Sequence, residues 1–228
     1  MIAVFVRPAT PGRAKTRLIS ALGAEGAATL YRAFAQDVIT QACAVRGRQV
    51  ALWVAGAIDD PDLSYAPAAL SRLSQPERDL GTRMLTALDA GLARSAQAMV
   101  VGSDAPGLLA SDLHLAFERL HDADVVLGPS ADGGYTLIAA RRTHPRMFEG
   151  VRMSSVHALA DTRRACLAVG LSCALCPPWF DIDTPADLGT LRGLLSVDPS
   201  RAPHTAHALR ACAPATLGMV RAVTNRAP

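Results

Sequence analysis

The segment IAVFVRPATPGRAKTRL, residues 2–18, decides how this chain folds. Its first five residues are continuously apolar, the pattern of a strand buried on both faces of a sheet. A turn rich in Pro and Gly follows at once, and it places Arg7, Arg13, Lys15 and Arg17 within 11 residues. Lys15 is the only lysine in a chain of 228 residues; every other cationic side chain apart from histidine is an arginine. An arginine is a planar fork, whereas a lysine is a compact, mobile point charge that suits a phosphate-binding turn. Gly12 lets backbone N–H groups approach an anion closely. The spacing is not that of a Walker A loop, since G-x-x-x-x-G-K-[ST] is absent.

Outward from this segment, strand and helix patterns alternate. Gln49–Ala55, Leu70–Ser74, Ala98–Val101, Ala123–Gly128, Tyr135–Ala140 and Leu171–Leu175 read as further strands. Gly26–Val45, Gly81–Ala93, Ser111–Leu120, Val156–Val169 and Pro185–Leu195 carry helical spacing, with Ser111 and Thr184 as expected N-caps and Pro185 at the first helical position. The expected fold class is α/β, three-layered, with a mostly parallel central sheet. Ligands in such sheets lie beyond the carboxyl ends of the strands, where the polar motifs of this chain also fall. After Ser196 the composition turns to Ala, Pro and Arg. The domain division expected is therefore 1–195 for the body and 196–228 for a C-terminal extension, either a final helix around His204–Cys212 or a loose tail.

Composition sets the outer limits. Half the residues are hydrophobic, enough for a substantial core. A net charge of +3 is too small to argue for nucleic acid. No apolar run reaches membrane-spanning length, and the apolar N-terminus lacks the basic region of a signal peptide. Five cysteines without a secretory signal favour reduced thiols in a cytoplasm. Cys173 and Cys176 form a C-x-x-C without a second ligand pair, and alternate like a strand, so they are expected to ligate nothing.

Four further constellations carry chemistry. Asp104 in GSDAPG, at the end of a buried strand, needs a partner, and a divalent cation beside phosphates is a natural one. Asp181 and Asp183 in DIDTPAD share a face of extended chain and offer a second acidic site. In PSADGGYT, Gly133 and Gly134 can expose backbone donors to a ligand, although a plain hairpin explains the turn nearly as well. In DLGTRM, Gly81 and Thr82 can offer free N–H groups at a helix start to a phosphate or a base, or can simply be part of a cap.

Taken together and in order, VRPATPGRAKTRL, DLGTRM, GSDAPGL, DVVLGPSADGGYTLI and WFDIDTPADL resemble the rSAM/selenodomain-associated transferase family. That family has a glycosyltransferase-A-like, nucleotide-diphospho-sugar transferase fold. It is similar to the molybdenum-cofactor nucleotidyltransferases and the 2-phospho-lactate guanylyltransferases. The resemblance covers Met1 to about Leu195. It implies that Arg13, Lys15 and Arg17 face nucleotide phosphates, and that Gly81 and Thr82 lie near the base or ribose. Asp104 and Asp183 would hold Mg2+ or Mn2+. Gly133, Gly134, Tyr135 and Thr136 would line the acceptor side. The departures are Arg7 where lysine is frequent, Arg78 where glycine is frequent, and Val151–Ser155 in place of a stretch that usually carries Trp-Ser.

Two reactions follow as expectations. In a magnesium-dependent nucleotidyltransferase, a phosphate, phosphonate or related oxyanion acceptor attacks the α-phosphorus of a nucleoside triphosphate and pyrophosphate leaves. In a glycosyltransferase the donor is a nucleotide-sugar, and Asp132 is placed to act as base. A non-catalytic nucleotide-binding protein on the same scaffold is the third reading. The expected partners are a nucleotide and a small-molecule acceptor, with a homodimer left open and neither nucleic acid nor membrane expected. Without metal, Asp104 and Asp183 are expected to repel and to raise each other's pKa.

Overall fold

The computed structural model describes residues 1–212 of the chain. Seven strands form one sheet: β1 (Ile2–Val6), β2 (Val50–Val54), β3 (Ser71–Ser74), β4 (Ala98–Gly102), β5 (Val125–Pro129), β6 (Tyr135–Ala140) and β7 (Cys173–Leu175). Their order across the sheet is β3-β2-β1-β4-β6-β5-β7. All neighbours are parallel except β6, which runs antiparallel to both β4 and β5. The five residues between β5 and β6 are too few for a parallel crossover, so this pair must be a hairpin.

Six helices complete the described chain: α1 (Ile19–Ala44), α2 (Leu80–Leu92), α3 (Ala110–Arg119), α4 (Ala158–Ala168), α5 (Pro185–Val197) and α6 (Pro203–Ala211). The alternation of β1 sorts its side chains between two cores. Ile2, Val4 and Val6 pack under Tyr31, Ala35 and Val38 of α1 and Leu113 and Phe117 of α3. Ala3 and Phe5 face the other way, towards Met84 and Leu88 of α2 and Cys166 of α4. The sheet is thus covered on both faces, which is why its central strands read as unbroken apolar runs. The pairing of β1 with β2 on one side and β4 on the other creates a switch point at their carboxyl ends.

Three details depart from the sequence reading. The first long helix starts at Ile19 rather than Gly26, and is interrupted at Gly23, whose φ of 70° and ψ of 169° are not helical. Ser111 does not cap α3. Leu109 occupies the N-cap position, and Asp112, three residues on, accepts a 2.9 Å hydrogen bond from its backbone N–H. Helix α2 begins on Asp79, not on Gly81 and Thr82.

Helix α6 falls in the expected C-terminal extension, of which residues 213–228 lie outside the described residues. It packs with α5 against the outer face of α1, where Leu18, Leu30 and Phe34 meet Leu191, Ala206 and Leu209. Asp37 fastens it: its two carboxylate oxygens accept from the backbone N–H of His204 at 3.0 Å and of Thr205 at 2.8 Å. Asp37 is 2% exposed and Thr205 fully buried, so losing these bonds leaves the Thr205 N–H buried without a partner. Asp37→Ala should lower stability by about 2 kcal/mol in urea unfolding. Limited proteolysis should cut at α6 before the sheet unfolds; an unchanged urea midpoint would show that the latch contributes nothing.

Candidate functional site

The site starts with the backbone after β1. Tyr31 of α1 is 1% exposed, and a buried phenol needs a hydrogen-bond partner. Its hydroxyl accepts from the Arg7 N–H at 3.0 Å and meets the Ser103 hydroxyl at 2.9 Å. Tyr65 donates to the Arg7 carbonyl at 2.8 Å. Two tyrosines therefore hold the chain as it leaves the sheet, and one of them ties it to the turn that carries Asp104. Sequence reading missed both. Tyr31 sits in a helical apolar pattern, and only its buried hydroxyl marks it as more than core.

The turn that follows brings Lys15 inward. Lys15 adopts a left-handed backbone conformation, φ 47° and ψ 51°, one of two non-glycine residues to do so among those described. Its side chain is 6% exposed, and its ammonium lies 3.1 Å from Asp104 Oδ2 and 2.8 Å from Asp183 Oδ1. Arg17 adds a longer contact, 3.7 Å, to Asp183 Oδ2. The left-handed backbone costs about 1–2 kcal/mol. Leaving the buried Lys15 ammonium without a carboxylate would cost more, so the pairing decides the turn's shape.

Asp104 and Asp183 meet because the chain after β7 crosses the turn after β4. The Ile182 N–H donates to the Asp104 carbonyl at 3.0 Å, which fixes the two segments in register. Thr184 then caps α5, with Asp187 accepting from the Thr184 N–H at 2.7 Å. The sequence expectations for charge are corrected here. Lys15 lies on the two carboxylates. Burial pushes the Asp183 carboxyl up, but the Lys15 ammonium outweighs it and the net shift is down, opposite to the mutual raising expected. Burial likewise lowers the Lys15 ammonium, and the two carboxylates more than reverse this.

These groups open into a cleft of about 520 Å³ at the switch point of the sheet. Arg7, Arg13, Lys15 and Arg17 line it with Asp104 and Asp183, so Arg13 and Asp104 share one cavity. Gln75, Leu80 and Arg83 line it from the β3–α2 side. Asp132, Gly134, Tyr135, Thr136, Met153 and Asp181 line it from the β5–β6 side. Gly12, with φ at 79°, shapes the turn.

Two expected sets of free backbone donors are not free. The Thr82 N–H donates to Asp79 Oδ1 at 2.9 Å, and a Cβ on Gly81 would come within 2.9 Å of the Phe148 Cβ. Gly81 is thus a packing position. The Gly133 N–H donates to the Ser130 carbonyl at 3.1 Å and the Gly134 N–H to Asp132 Oδ1 at 2.8 Å. A Cβ on Gly133 would collide with the Val156 backbone, which explains that glycine sterically. Tyr135 and Thr136 remain on the cavity wall. The Tyr135 hydroxyl sits beside the sulfurs of Met84 and Met153, at 3.9 and 3.8 Å, and accepts from Thr162 at 3.3 Å. Asp181 accepts a 2.6 Å bond from Ser130. Burial pushes its carboxyl up, and the charges of Asp132 and Asp183 add to this.

The segment carrying Met153, Ser154 and Ser155 is tethered from outside the cleft. Arg152 donates to Asp161 at 2.7 and 3.1 Å, and Arg164 donates at 2.6 Å. The five cysteines are free thiols, with Cys173 on β7 and Cys176 just beyond it.

The donor set suits a divalent cation. Two carboxylates converge on one cation position at the mouth of a cationic turn, and magnesium asks for one or two carboxylates plus phosphate oxygens. Among the described residues no cluster of three or more metal-ligating side chains exists, so phosphate would have to complete the shell. Among the same residues, no helix is long and apolar enough to cross a membrane.

Residues 38–155 match the family described as "Uncharacterized protein conserved in bacteria (DUF2064)". No curated protein matches the chain. Among solved structures, a Desulfovibrio desulfuricans G20 protein assigned to the nucleotide-diphospho-sugar transferases is similar at a TM-score of 0.85 and 29% identity. The match covers 92% of this chain and 93% of that one. A cytidylyltransferase from Leptospira borgpetersenii serovar Hardjo-bovis matches at 0.58 and 15% identity, over 92% of each chain. The 4-diphosphocytidyl-2C-methyl-D-erythritol synthase of Anaerococcus prevotii DSM 20548 matches at 0.56 and 10%, over 86% of this chain and 96% of that one. The fold is therefore that of the nucleotide-diphospho-sugar transferases. The radical-SAM association of the resembled family has no counterpart among these matches.

Asp161 supplies a pH test of the tether. Hydrogen bonds from Arg152 are the largest influence holding its carboxyl below the usual range; burial opposes them and the charges of both arginines add. A depressed carboxylate contributes stability above its unfolded pKa and loses it as pH falls through the folded value. Asp161→Asn should therefore melt below wild type at pH 7, and the gap should narrow as pH falls below 4. A gap independent of pH would show that packing, not charge, holds the segment.

Proposed function

The chain belongs to the DUF2064 family, and we propose that its cleft catalyses nucleotide-dependent group transfer, with nucleotidyl transfer as the reaction. The observation that carries this reading is the convergence of the cationic turn with Asp104 and Asp183 at the switch point of the sheet. Arg13 and Arg17 would hold the phosphates of a nucleoside triphosphate, with Lys15 reaching the two that leave. A magnesium ion held by Asp104 and Asp183 would supply charge neutralisation at the α-phosphate. The acceptor oxygen forms a bond to the α-phosphorus, the bond from that phosphorus to the bridging oxygen breaks, and pyrophosphate leaves with the electron pair. Four cations in one turn suit a triphosphate better than a diphosphate.

The wall opposite the cationic turn bears on the acceptor. An oxyanion acceptor would meet Asp132 and Asp181 there, and neither carboxylate has a cationic partner in any ion pair among the described residues. Met84, Met153 and Tyr135 add apolar surface. This wall suits a neutral, hydroxyl-bearing acceptor better than the phosphate or phosphonate that the sequence suggested. Its proton would pass to a carboxylate, and Asp132 lines the cavity with only the Gly134 N–H on one oxygen. The same wall would serve glycosyl transfer from a nucleotide-sugar, and the assignment of the Desulfovibrio protein supports that as the second reading.

Thermal-shift measurements against the four nucleoside triphosphates and a panel of nucleotide-sugars, with and without magnesium, separate the readings. A triphosphate that stabilises only with magnesium supports nucleotidyl transfer; a nucleotide-sugar that does so supports glycosyl transfer. Silence across the panel would leave a non-catalytic protein. With the substrate so identified, Asp104→Asn should cost at least about 100-fold in turnover while remaining folded by circular dichroism. Full activity in that variant would remove the carboxylate pair from the reaction.

A further inference from the structure

The lysine that the turn buries stands where a cation belongs. Its ammonium touches one oxygen of Asp104 and one of Asp183 at 3.1 and 2.8 Å, so the two carboxylates already share a positive charge. A divalent cation drawn to the same two oxygens would sit against that ammonium, and like charges in contact oppose each other. The two occupants therefore exclude one another. Lys15 is also the residue best able to leave. Its charge is a point on a flexible four-carbon stem, whereas an arginine fork would lock onto the carboxylates in two-pronged fashion. Arg13 and Arg17, on either side of it, are exposed and available to an incoming anion.

We propose that Lys15 is a built-in counter-ion that keeps the Asp104–Asp183 pair closed to divalent cations until nucleotide phosphates draw it off. Metal then enters with the nucleotide and not before it. The proposal rests on the nucleotide-transferase reading for the identity of the anion, but the exclusion itself concerns only Lys15 and the two carboxylates. It also gives a reason for the single lysine of the chain. Neutralising the pair in the empty protein and releasing it on demand calls for a mobile charge at this one position.

Two measurements on the full chain test it. The first is Mn2+ binding, followed by electron paramagnetic resonance without nucleotide, in wild type, Lys15→Met and Lys15→Gly. Glycine accepts the left-handed backbone, so its variant removes the charge without straining the turn. Both variants should bind Mn2+ about ten-fold or more tightly than wild type. Adding Asp104→Asn to Lys15→Gly should abolish the gain, a result that a merely structural role for Lys15 does not produce. The second needs no variant. Because Lys15 is the only lysine, protein grown with 15N-lysine reports one side-chain signal. That signal should stay put with millimolar Mg2+ alone and move when an α,β-methylene nucleoside triphosphate is added with Mg2+.

Equal and tight Mn2+ binding by all three proteins would overturn the exclusion while leaving the transferase reading intact. A lysine signal that moves with Mg2+ alone would overturn the order of entry. Absence of Mn2+ binding in every variant, with or without each of the four methylene triphosphates, would overturn the proposal and the transferase reading together.

Discussion

One ammonium between two carboxylates organises the functional end of this molecule. Lys15 lies in the turn after β1, Asp104 just after β4 and Asp183 just before α5, so the contact binds three separate loops of the fold at one point. Burying the Lys15 ammonium alone would be prohibitive. Between two half-buried carboxylates it is tolerable, and the turn accepts a left-handed lysine as the cost of keeping it there. The shape of the cationic turn is in this sense a consequence of its electrostatics.

The sheet supplies the rest of the arrangement. Its order puts β1 between β2 and β4, and their carboxyl ends open the cleft. The antiparallel β6 then inserts between β4 and β5 and brings Tyr135 and Thr136 to the opposite wall. One wall thus belongs to the parallel half of the fold and carries the cations, while the other is built on the hairpin with Asp132, to which Met84 of α2, Met153 before α4 and Asp181 after β7 are added. The Tyr31–Ser103 hydrogen bond joins α1 to the turn after β4 beneath them.

Much of this was legible in the sequence, for identifiable reasons. Strands buried on both faces read as apolar runs, so Ile2–Val6 and Ala98–Gly102 announce themselves. The crowding of polar motifs after strands placed Arg13, Lys15, Asp104 and Asp183 in one site. Other features left no local trace. The Lys15 bridge depends on partners 89 and 168 residues away, and nothing near Lys15 says whether its charge meets carboxylate or phosphate. Gly133, Gly134 and Thr82 looked like open donors because the turns that engage their N–H groups depend on side-chain geometry. Ser111 has the residue type of an N-cap, but the bond that closes the start of α3 comes from Asp112 reaching back to the Leu109 N–H, which the local sequence does not mark. Asp37, one polar residue inside an apolar helix, gave no hint that its carboxylate fastens a helix at the far end of the chain.

That fastening has a consequence for how the protein is made. Among the described residues helix α1 precedes the other α-helices in chain order, and its outer face is covered only by α5 and α6, the last two of them. Asp37 finds its partner 167 residues later, and Leu30 and Phe34 are closed over only when α5 and α6 arrive. At the ribosome's usual pace of about 5–20 residues per second, that wait is roughly ten to thirty seconds. Throughout it the nascent chain presents an apolar stripe to its surroundings. Completion of this fold thus waits for α5 and α6, and a chain arrested between β7 and α5 holds every strand of the sheet while its first helix stays bare.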